Sequence, residues 1–501
     1  MPDEVSPSTP LSQRPVCVVG AGAMGRGIAQ VALVAGHEVT LVDPDADQLR
    51  AAEADIVRRV SRKDPAAGRA VHNALTTVRD IADVVARPGT VVVEAVVENL
   101  DVKRSVLGKA LKHFGSGCIL ATNTSSLSIT EIAAGVAEPS RVAGMHFFNP
   151  VPAMRLVEVV TGLATDPDVA DTIAELATAW GKSVARVRSA PGFIVNRVAR
   201  PFYGEALKLV EEGAATIEVV DTVLRRAGGF RMGPFELMDL IGNDVNSEVT
   251  RTVWTAFHYD PRFQPSQYQR ELVAAGRFGR KTGAGFYDSY PAERPDPEPE
   301  TPAGDGVTSA VLRGESPQLQ TLLDRSGVPY SREDTDGQPV VELPGLGLVA
   351  LTGGRSASEE SLLREAPVVV LDRCLDPGTA SALAFATTDQ ALADGVVSLL
   401  AAAGVRAYRI ADTPGLVVAR VVSMIINEAW DATQKGVASA GDVDTAMTLG
   451  TNYPLGPFAW CERWAPRTVL ELLDTLWDEY HDPRYRACQL LRAKVRADLA
   501  S

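Results

Sequence analysis

The chain has 501 residues, of which 46% are apolar and 22% are charged, and its formal net charge is −14. This length predicts roughly three domains or more, and the apolar fraction is large enough to give each of them a core. The negative charge argues against nucleic acid as a partner. No apolar run approaches the roughly 20 residues of a membrane helix, so no membrane association is predicted.

The first residues and the cysteines indicate how the chain is processed and in which compartment it works. Residues 1–14 include Pro, Ser and two early acids but no apolar stretch, so we expect a disordered leader rather than a signal peptide. Five cysteines are scattered along the chain without the spacing of a disulfide framework or a metal site. This usage favours a reducing cytosol and predicts no metal. They are Cys17, Cys118, Cys374, Cys461 and Cys488.

A glycine-rich segment, Gly20-Ala21-Gly22-Ala23-Met24-Gly25, follows the apolar run 16–19 and precedes a helix predicted over 24–35. This context is typical of a dinucleotide-binding unit, because the glycines let the backbone approach a pyrophosphate and the helix N-terminus supplies N–H groups to it. A second predicted strand ends in Asp43, where such a unit places its ribose-binding acid. The carboxylate would repel a 2′-phosphate, so the sequence predicts NAD rather than NADP. The alternative is a glycine-rich turn without a ligand.

Three further apolar runs, 91–97, 118–122 and 141–146, alternate with helical patterns up to about residue 188. This alternation predicts a doubly wound parallel sheet. We therefore expect an α/β plus all-α chain that begins with a dinucleotide-binding Rossmann domain at 15–188. The other expected parts are a helical domain at 189–288, a Pro-rich linker at 289–306, a degenerate second α/β domain at 307–411 and a second helical domain at 412–501.

The two helical regions are copies of one another. Pro191–Arg197 recurs as Pro414–Arg420, Gly233–Phe235 recurs as Gly456–Phe458, and Asp260–Phe263 returns as Asp482–Tyr485, one residue out of step. The second copy has Ala419 where the first has Asn196. A copy that keeps its framework and loses a polar residue is expected to be structural rather than catalytic.

Two predicted strands carry a candidate acid–base pair, His146 and Glu158. Doubly wound folds bind ligands at the carboxyl ends of their strands. A dehydrogenase that removes hydride from a carbinol carbon needs a base for the hydroxyl proton, which neutral imidazole supplies, and a carboxylate to hold the imidazole. Residues 123–126 (Asn-Thr-Ser-Ser) follow another strand and offer hydroxyls at the same edge. From spacing alone, a satisfied core histidine, a serine helix cap and an exposed glutamate remain open.

Seven segments between Pro15 and Asp288 carry further information. In chain order they are Gly20–Gly25, Glu94–Asn99, Asn123–Leu127, Gly144–Pro150, Pro191–Arg197, Met232–Leu237 and Gly279–Tyr287. Taken together, they resemble the (S)-3-hydroxyacyl-CoA dehydrogenase family, and several of them are specific to it. The layout also resembles the longer bacterial members, which have a second, degenerate sheet domain and a second helical domain. Those members act on 3-hydroxybutyryl-CoA or 3-hydroxyadipyl-CoA.

The resemblance implies NAD-dependent oxidation of (S)-3-hydroxyacyl-CoA to 3-oxoacyl-CoA, in fatty-acid or phenylacetate catabolism. It implies that His146 is the base, that Glu158 is its partner, and that Ser125 and Asn196 hydrogen-bond the reacting oxygen and the thioester carbonyl. It also implies a set of NAD-binding residues: Gly20, Gly22, Ala23, Met24, Gly25, Asp43, Glu98, Lys103 and Asn123. Two-domain members dimerise through the helical domain, so the second copy here is expected to form an internal pseudo-dimer. A homodimer of whole chains remains open.

Two alternative functions remain, and the sequence departs from the family pattern in two places. A β-hydroxyacid dehydrogenase acting on a free acid would use a Lys in the helical domain, which the His–Glu pair argues against. A non-catalytic NAD-binding scaffold would have lost part of the site. The segment 48–86 looks short for the helical hairpin that carries basic residues toward CoA in the family, and Asp64-Pro65 interrupts its basic cluster 58–63. The cations of this cluster either bind the phosphates of CoA or form a solvated helix face, and the sequence leaves both alternatives open. A pseudo-fingerprint at 345–350 is followed by residues that cannot readily open a helix.

Overall fold

The computed structural model describes residues 10–289, 296–302, 306–335 and 337–500. Most of the expected leader, and residues 290–295 and 303–305 of the expected linker, therefore lie outside the described residues. The chain forms two compact units. The first unit spans Met1–Arg197 and Lys435–Thr451, and the second spans Val198–Gln434 and Asn452–Ser501.

The strands of the described residues are β1 (Val16–Val19), β2 (Val39–Val42), β3 (Leu75–Val78), β4 (Val91–Glu94), β5 (Ile119–Thr122), β6 (Val142–Phe147), β7 (Leu156–Thr161), β8 (Ser183–Arg188), β9 (Ala310–Arg313), β10 (Tyr330–Glu333), β11 (Val340–Leu343), β12 (Gly347–Leu351), β13 (Val368–Leu371), β14 (Ala382–Ala386) and β15 (Arg406–Arg409). The α-helices are α1 (Ala23–Val34), α2 (Ala46–Ser61), α3 (Pro65–Ala74), α4 (Leu100–Phe114), α5 (Ile129–Ala134), α6 (Pro167–Ala179), α7 (Val195–Val198), α8 (Arg200–Glu211), α9 (Ile217–Arg226), α10 (Pro234–Ile241), α11 (Asn243–Ala256), α12 (Gln267–Ala274), α13 (Pro317–Ser326), α14 (Ala357–Arg364), α15 (Gln390–Ala402), α16 (Val418–Gln434), α17 (Ala440–Gly450), α18 (Pro457–Trp464), α19 (Pro466–Tyr480) and α20 (Gln489–Ala500). Within the described part of the chain, no helix is long and apolar enough to cross a membrane.

The first unit is built on an eight-stranded sheet in the order β3-β2-β1-β4-β5-β6-β7-β8. The strands from β3 to β6 pair in parallel, β7 pairs with β6 antiparallel, and β8 pairs with β7 in parallel. The central strands are short Val- and Ile-rich runs buried on both faces, as expected of strands covered by helices on either side. The predicted Rossmann domain is confirmed, and its first six strands have the order of a dinucleotide-binding fold.

A helical hairpin connects β2 to β3. Helix α2 ends at Ser61, and α3 begins at Pro65 with Asp64 as its N-cap, whose side chain accepts a hydrogen bond from the Ala66 N–H. Proline is favoured at a first helical position because its missing N–H would have no partner there. The predicted break at Asp64-Pro65 is therefore confirmed, and it separates two packed helices.

The second unit contains a seven-stranded sheet in the order β10-β9-β11-β12-β13-β14-β15. Strands β11 and β12 form an antiparallel hairpin. The pseudo-fingerprint 345–350 supplies the turn of that hairpin and most of β12, and no helix follows it directly. The predicted degenerate α/β domain is confirmed, because the strand that would open a nucleotide-binding helix is instead part of a hairpin.

The two copies of the helical domain contact sheets in corresponding ways. In the second unit, α9 of the first copy packs against β14, and the Ala411 N–H donates to the Ala214 carbonyl (2.9 Å). In the first unit, α17 of the second copy packs against β7 and β8, and the Arg188 N–H donates to the Val437 carbonyl (2.8 Å). The second copy is thus divided, because its helix α17 belongs to the unit built on the first sheet.

Candidate functional site

The glycines that follow β1 have separate structural reasons. Gly20 has a φ of +107°, and a Cβ there would lie 2.5 Å from the Ala95 carbonyl oxygen. A Cβ on Gly25 would lie 1.7 Å from the Gly20 carbonyl oxygen. Gly22 differs from both, because its φ is −66° and a Cβ there would meet nothing within 4 Å. Since neither conformation nor contact within the chain requires glycine at position 22, the open space before it is suited to a ligand.

The N-terminus of α1 also favours a ligand. Its N-cap is Gly22, which has no side chain to accept from the first N–H groups, whereas Asp45 and Asn99 cap α2 and α4 with their side chains. Uncapped N–H groups at a helix start form an anion site. Ala23 and Met24, the first residues of α1, therefore lie where the predicted pyrophosphate would bind.

Asp43 follows β2 and contacts the same loop. Its Oδ2 accepts a hydrogen bond from the Ala21 N–H (2.8 Å), and its Oδ1 accepts one from the Asp45 N–H (2.9 Å). The carboxylate therefore holds the glycine loop against the end of β2 and stays partly exposed at the carboxyl edge of the sheet. This position fits the predicted ribose contact, which remains a prediction.

A buried charge cluster lies behind the loop after β5. The Lys103 Nζ is 2.8 Å from Glu94 Oε1 and 3.2 Å from Glu98 Oε2, and the Lys103 side chain is only 1% exposed. Thr122 also donates to Glu94 (2.6 Å). The Lys103 ammonium is thus buried between two carboxylates, and it is linked to the loop after β5 through Glu98.

Glu98 organises the serine loop. Its Oε1 accepts from the Thr124 hydroxyl (2.6 Å), from the N–H groups of Ser125 and Ser126 (3.0 Å each) and from the Ser126 hydroxyl (2.9 Å). Burial raises the pKa of Glu98, but the charge of Lys103 and these hydrogen bonds outweigh it, and the pKa lies below its ordinary value. An ionised Glu98 therefore holds Ser125 in place.

Glu94 was not predicted as a site residue. The sequence does contain a signal for it, because Glu94 is an acid that ends an apolar strand and lies nine residues before Lys103. Asn123, a predicted cofactor residue, contacts the neighbouring strand. Its Oδ1 accepts from the Phe147 N–H (2.8 Å), beside His146. Asn123 therefore links the ends of β5 and β6, and its contact with a cofactor stays a prediction.

His146 and Glu158 lie opposite each other in the antiparallel register of β6 and β7. The Nδ1 of His146 is 2.6 Å from Glu158 Oε2, and both side chains are buried. The imidazole packs against Phe148 and Phe193, with ring centroids 4.5 Å and 5.7 Å away. Among the described residues, the Nε2 of His146 has no hydrogen-bond partner. A neutral imidazole held in this tautomer presents Nε2 as a proton acceptor.

The second oxygen of Glu158 holds a backbone turn. Glu158 Oε1 accepts from the N–H groups of Ile194 (2.9 Å) and Val195 (3.0 Å) at the start of α7. The turn before them uses Gly192 and Phe193, both with φ between 50° and 73°. Asn196 follows, and its Nδ2 donates to the Ser125 carbonyl (3.3 Å). The predicted residues His146, Glu158, Ser125 and Asn196 are thus brought together in the first unit.

The second sheet has a carboxylate at the corresponding position. Asp372 follows β13, pairs with Ala384 through its N–H (2.9 Å), and accepts from the N–H groups of Val417, Val418 and Ala419 (3.1, 2.7 and 3.0 Å). Strands β13 and β14 of the second sheet correspond to β6 and β7 of the first. In this register Asp372 occupies the position of His146, and Ala384 occupies that of Glu158. Burial raises the pKa of Asp372 to about 6. One Asp thus performs the backbone role of Glu158, without an imidazole.

Comparison with known proteins agrees with this geometry. The family model described as 3-hydroxyacyl-CoA dehydrogenase, NAD binding domain, matches residues 15–190, and the C-terminal domain model matches 192–289 and again 415–501. The 3-hydroxybutyryl-CoA dehydrogenase reduced Rossmann-fold domain matches 349–414.

Individual relatives match either nearly the whole chain or about its first half. The chain is 42% identical over 485 residues to the 3-hydroxyadipyl-CoA dehydrogenase of Escherichia coli K12, covering 96% of this chain and 97% of the relative. It is 41% identical over 283 residues to the mitochondrial hydroxyacyl-coenzyme A dehydrogenase of Sus scrofa, covering 54% of this chain and 90% of the relative. A crystal structure of E. coli K12 3-hydroxybutyryl-CoA dehydrogenase matches with a TM-score of 0.87 and 39% identity, covering 97% and 99% of the two chains. The chain therefore belongs to the 3-hydroxyacyl-CoA dehydrogenase family of NAD-dependent oxidoreductases.

Proposed function

We propose that this chain oxidises short (S)-3-hydroxyacyl-CoA esters at C3, with 3-hydroxybutyryl-CoA or 3-hydroxyadipyl-CoA as substrate. The observation that carries the proposal is the buried His146–Glu158 pair, with Ser125 and Asn196 beside it. Two relatives match nearly the whole chain, and their names, 3-hydroxyadipyl-CoA dehydrogenase and 3-hydroxybutyryl-CoA dehydrogenase, support these two substrates. Rates of NADH-linked reduction across a panel of 3-oxoacyl-CoA esters test it, and reduction of a free 3-oxoacid instead would favour a β-hydroxyacid dehydrogenase.

The proposed roles follow from the contacts. His146 Nε2 accepts the hydroxyl proton of the substrate, while Glu158 holds the imidazole and stabilises its charged form. Ser125 and Asn196 hydrogen-bond the substrate oxygens, and Glu98 keeps the loop of Ser125 in place. An intact set of this kind argues against an idle scaffold.

The residues around Gly22 fit NAD, since the space before Gly22 is open and the start of α1 has no capping side chain. The pyrophosphate would be held by the loop from Gly20 to Gly25, and the ribose by Asp43. Bound NAD would supply the acceptor for the hydride that leaves C3 of the substrate. Glu98 and Asn123 would support that site from the segments that follow β4 and β5, and Lys103 would support it from α4 through Glu98.

Asp43→Asn is expected to relax cofactor discrimination. The amide retains an acceptor for the Ala21 N–H but removes the charge that repels a 2′-phosphate. The ratio of kcat/KM with NADH to that with NADPH should fall about 10- to 100-fold, which corresponds to about 1.4 to 2.8 kcal/mol. Asp45→Asn, at the N-cap of α2, is the matched control and should leave the ratio unchanged. Equal efficiency of the wild-type enzyme with NADH and NADPH would remove this role of Asp43.

We also propose that the two helical copies form an internal pseudo-dimer. In the second unit, α8 of the first copy packs against α16 of the second. Arg484 of the second copy donates to Glu205 on α8 (3.2 Å), and Arg262 of the first copy donates to Glu428 on α16 (3.1 Å). Such reciprocal contacts are typical of an isologous interface between two identical subunits.

Glu205→Ala is expected to destabilise this interface strongly. Glu205 is 2% exposed and accepts from Arg420 (2.9 Å), Arg484 and Tyr485 (3.0 Å). Its removal leaves two buried guanidinium groups with fewer partners, which costs about 3 to 5 kcal/mol. The free energy of unfolding in urea measures this loss. Glu248→Ala, which removes an exposed partner of Arg251, is the control, and an equal effect of both variants would contradict the proposal.

The same residue predicts the acid dependence of stability. Burial raises the pKa of Glu205, but Arg484 and Arg420 outweigh it, so the pKa lies below its ordinary value of 4.5. A depressed folded pKa means that the ionised group stabilises the fold above the unfolded pKa and loses that effect as the pH falls through the folded pKa. The stability difference between wild type and Glu205→Ala should therefore shrink in acid.

We propose one active site per chain, because the second copy has Asp372 and Ala419 at the positions of His146 and Asn196.

We propose the domain division 15–188, 189–288, 307–411 and 412–501, which lies close to the residues that the family models match. The described part of the linker is anchored, since Asp296 pairs with Arg225 and Arg226 and its side chain is 5% exposed. The buried free thiols fit the cytoplasmic location that we propose.

A further inference from the structure

One buried cation in the second unit has no carboxylate partner. Arg200, the first residue of α8, is 7% exposed. Its Nη1 donates to the Thr250 hydroxyl (3.0 Å), and its Nε is buried without a hydrogen-bond partner. Among the described residues, no Asp or Glu lies within ion-pair distance of it. Arginine stays charged in proteins, so this guanidinium is a buried positive charge that the second unit leaves uncompensated.

Arg200 lines a cavity whose walls belong to the second unit throughout. The cavity has a volume of about 180 Å³, enough for several water molecules or a small anion. Gln264 and Gln267 also line it and are exposed, so the cavity can be reached from solvent. The other cations of the lining are paired within the chain: Lys208 with Glu212 and Asp482, Arg262 with Glu428 and Asp431, and Arg484 with Glu205 and Asp482.

The acids that line the cavity do not compensate Arg200 either. Asp482 is one of the ion-pair partners of the other cations. Glu211 is exposed, and its Oε1 accepts from the Ser266 hydroxyl (2.7 Å). A buried charge is unfavourable unless the protein or a ligand pairs it. An anion in the cavity would supply the partner that Arg200 lacks.

The duplicated domain provides an internal comparison for this cation. Helix α8 corresponds to α16, because Pro191–Arg197 recurs as Pro414–Arg420 directly before or within these helices. At the position of Arg200, the second copy has Ser423, which is fully buried and donates to a backbone carbonyl (3.1 Å). The helical framework therefore forms without the buried cation.

Two neighbours of Arg200 in the cavity wall are also polar in the first copy alone. Thr250 is the eighth residue of α11, and the eighth residue of α19 is Leu473. Gln269 is the third residue of α12, and the third residue of α20 is Leu491. Both leucines are fully buried. Since the same framework packs leucine at these positions, a binding function explains why the first copy has a polar wall there.

We propose that Arg200 is the centre of an oxyanion site in the second unit, whose ligand is a small carboxylate or inorganic phosphate. Both groups present two oxygens, which a planar guanidinium binds through two parallel hydrogen bonds. The unpartnered Nε of Arg200 would donate one of these bonds. Thr250 is a positioning residue, since its hydroxyl accepts from Arg200 and donates to the Asn246 carbonyl (3.0 Å). The site uses no group of the first unit, so it goes beyond the proposed oxidation.

Isothermal titration calorimetry of the enzyme saturated with NADH tests the site. Sodium acetate and sodium phosphate are the probes, in separate titrations at an ionic strength held constant with chloride. NADH fills the proposed pyrophosphate site, so inorganic phosphate does not report on that site. We expect at least one probe to bind at one Arg200-dependent site per chain.

The variants assign the binding to Arg200. Arg200→Met should raise the Kd of the bound anion about 10- to 100-fold, the usual effect of losing hydrogen bonds to a charged group. Lys208→Met removes a paired cation from the same cavity and is the matched control, which should leave the Kd within about threefold of wild type. Stronger binding of acetate would assign the ligand to the carboxylates, and stronger binding of phosphate would assign it to the phosphates.

The inference is wrong if neither probe binds, or if Arg200→Met binds both as tightly as wild type. Neither result would affect the proposed oxidation, which is measured by turnover of a 3-oxoacyl-CoA ester. Should Arg200→Met fail to fold, Arg200→Lys decides, because lysine keeps the charge but lacks the planar pair of donors. The Kd should then rise at least about threefold, and an unchanged Kd would overturn the inference.

Discussion

His146→Ala is expected to lower kcat by about two to four orders of magnitude, because positioned proton transfer usually contributes that much. The structure gives a specific reason. The Nδ1 of the imidazole is held at 2.6 Å from Glu158, so the ring is fixed with Nε2 as its remaining acceptor. No other histidine lies in the contacts described around Ser125 and Asn196. Turnover of a 3-oxoacyl-CoA ester with NADH measures the effect.

Cofactor binding should separate this effect from general damage. We expect the Kd for NADH, measured by fluorescence titration, to stay within a few-fold of wild type, since the residues proposed to hold the pyrophosphate and the ribose follow β1 and β2. His113→Ala is the matched control: its ring nitrogen bonds the Val84 carbonyl (2.8 Å) at the end of α4, away from the pair. If His146→Ala keeps turnover within a few-fold of wild type, or if His113→Ala loses as much, His146 is not the base.

Glu158→Gln is expected to lower kcat by about three to four orders of magnitude with little loss of stability. The amide oxygen can still accept from the N–H groups of Ile194 and Val195, so the turn before α7 is retained. The amide NH₂, however, donates to His146 Nδ1 and stabilises the tautomer that carries its proton on Nε2. That tautomer cannot accept the substrate proton, which is the reason that such substitutions in catalytic triads are severe.

Glu158→Ala should reduce both activity and stability. It leaves two buried N–H groups without an acceptor, each costing about 1 to 3 kcal/mol, so the free energy of unfolding should fall while that of Glu158→Gln does not. Asp372→Asn is the control from the second copy, where the carboxylate holds the same turn but no imidazole is present. It should leave kcat within about threefold of wild type. A Glu158→Gln enzyme with more than a tenth of wild-type turnover would contradict the proposed role.

Local sequence was sufficient for much of the architecture. Short Val- and Ile-rich runs such as 91–94 are buried on both faces and became central strands, because a parallel sheet covered by helices requires apolar residues on both sides. Gly20 and Gly25 indicated their turn because a side chain at either position would meet backbone within a few residues or at a neighbouring strand end. The repeat of 191–197 at 414–420 likewise indicated two helical copies. These features depend on backbone conformation and burial, which nearby residues largely determine.

The contacts that define the chemistry were decided by tertiary structure. The His146–Glu158 pair depends on β7 reversing direction beside β6 in one register, and a shift by one residue would turn Glu158 to the other face. Lys103 was expected at a cofactor, but its burial between Glu94 and Glu98 follows from the packing of α4 against β4.

Other long-range features had no counterpart in the local pattern. The reciprocal arginine–glutamate pairs join residues more than 150 positions apart, and the assignment of α17 to the first unit depends on its contacts with β7 and β8. Sequence thus determined which elements form and which chemical groups they carry, whereas the pairing of those groups depended on register and packing between segments that are distant in the chain.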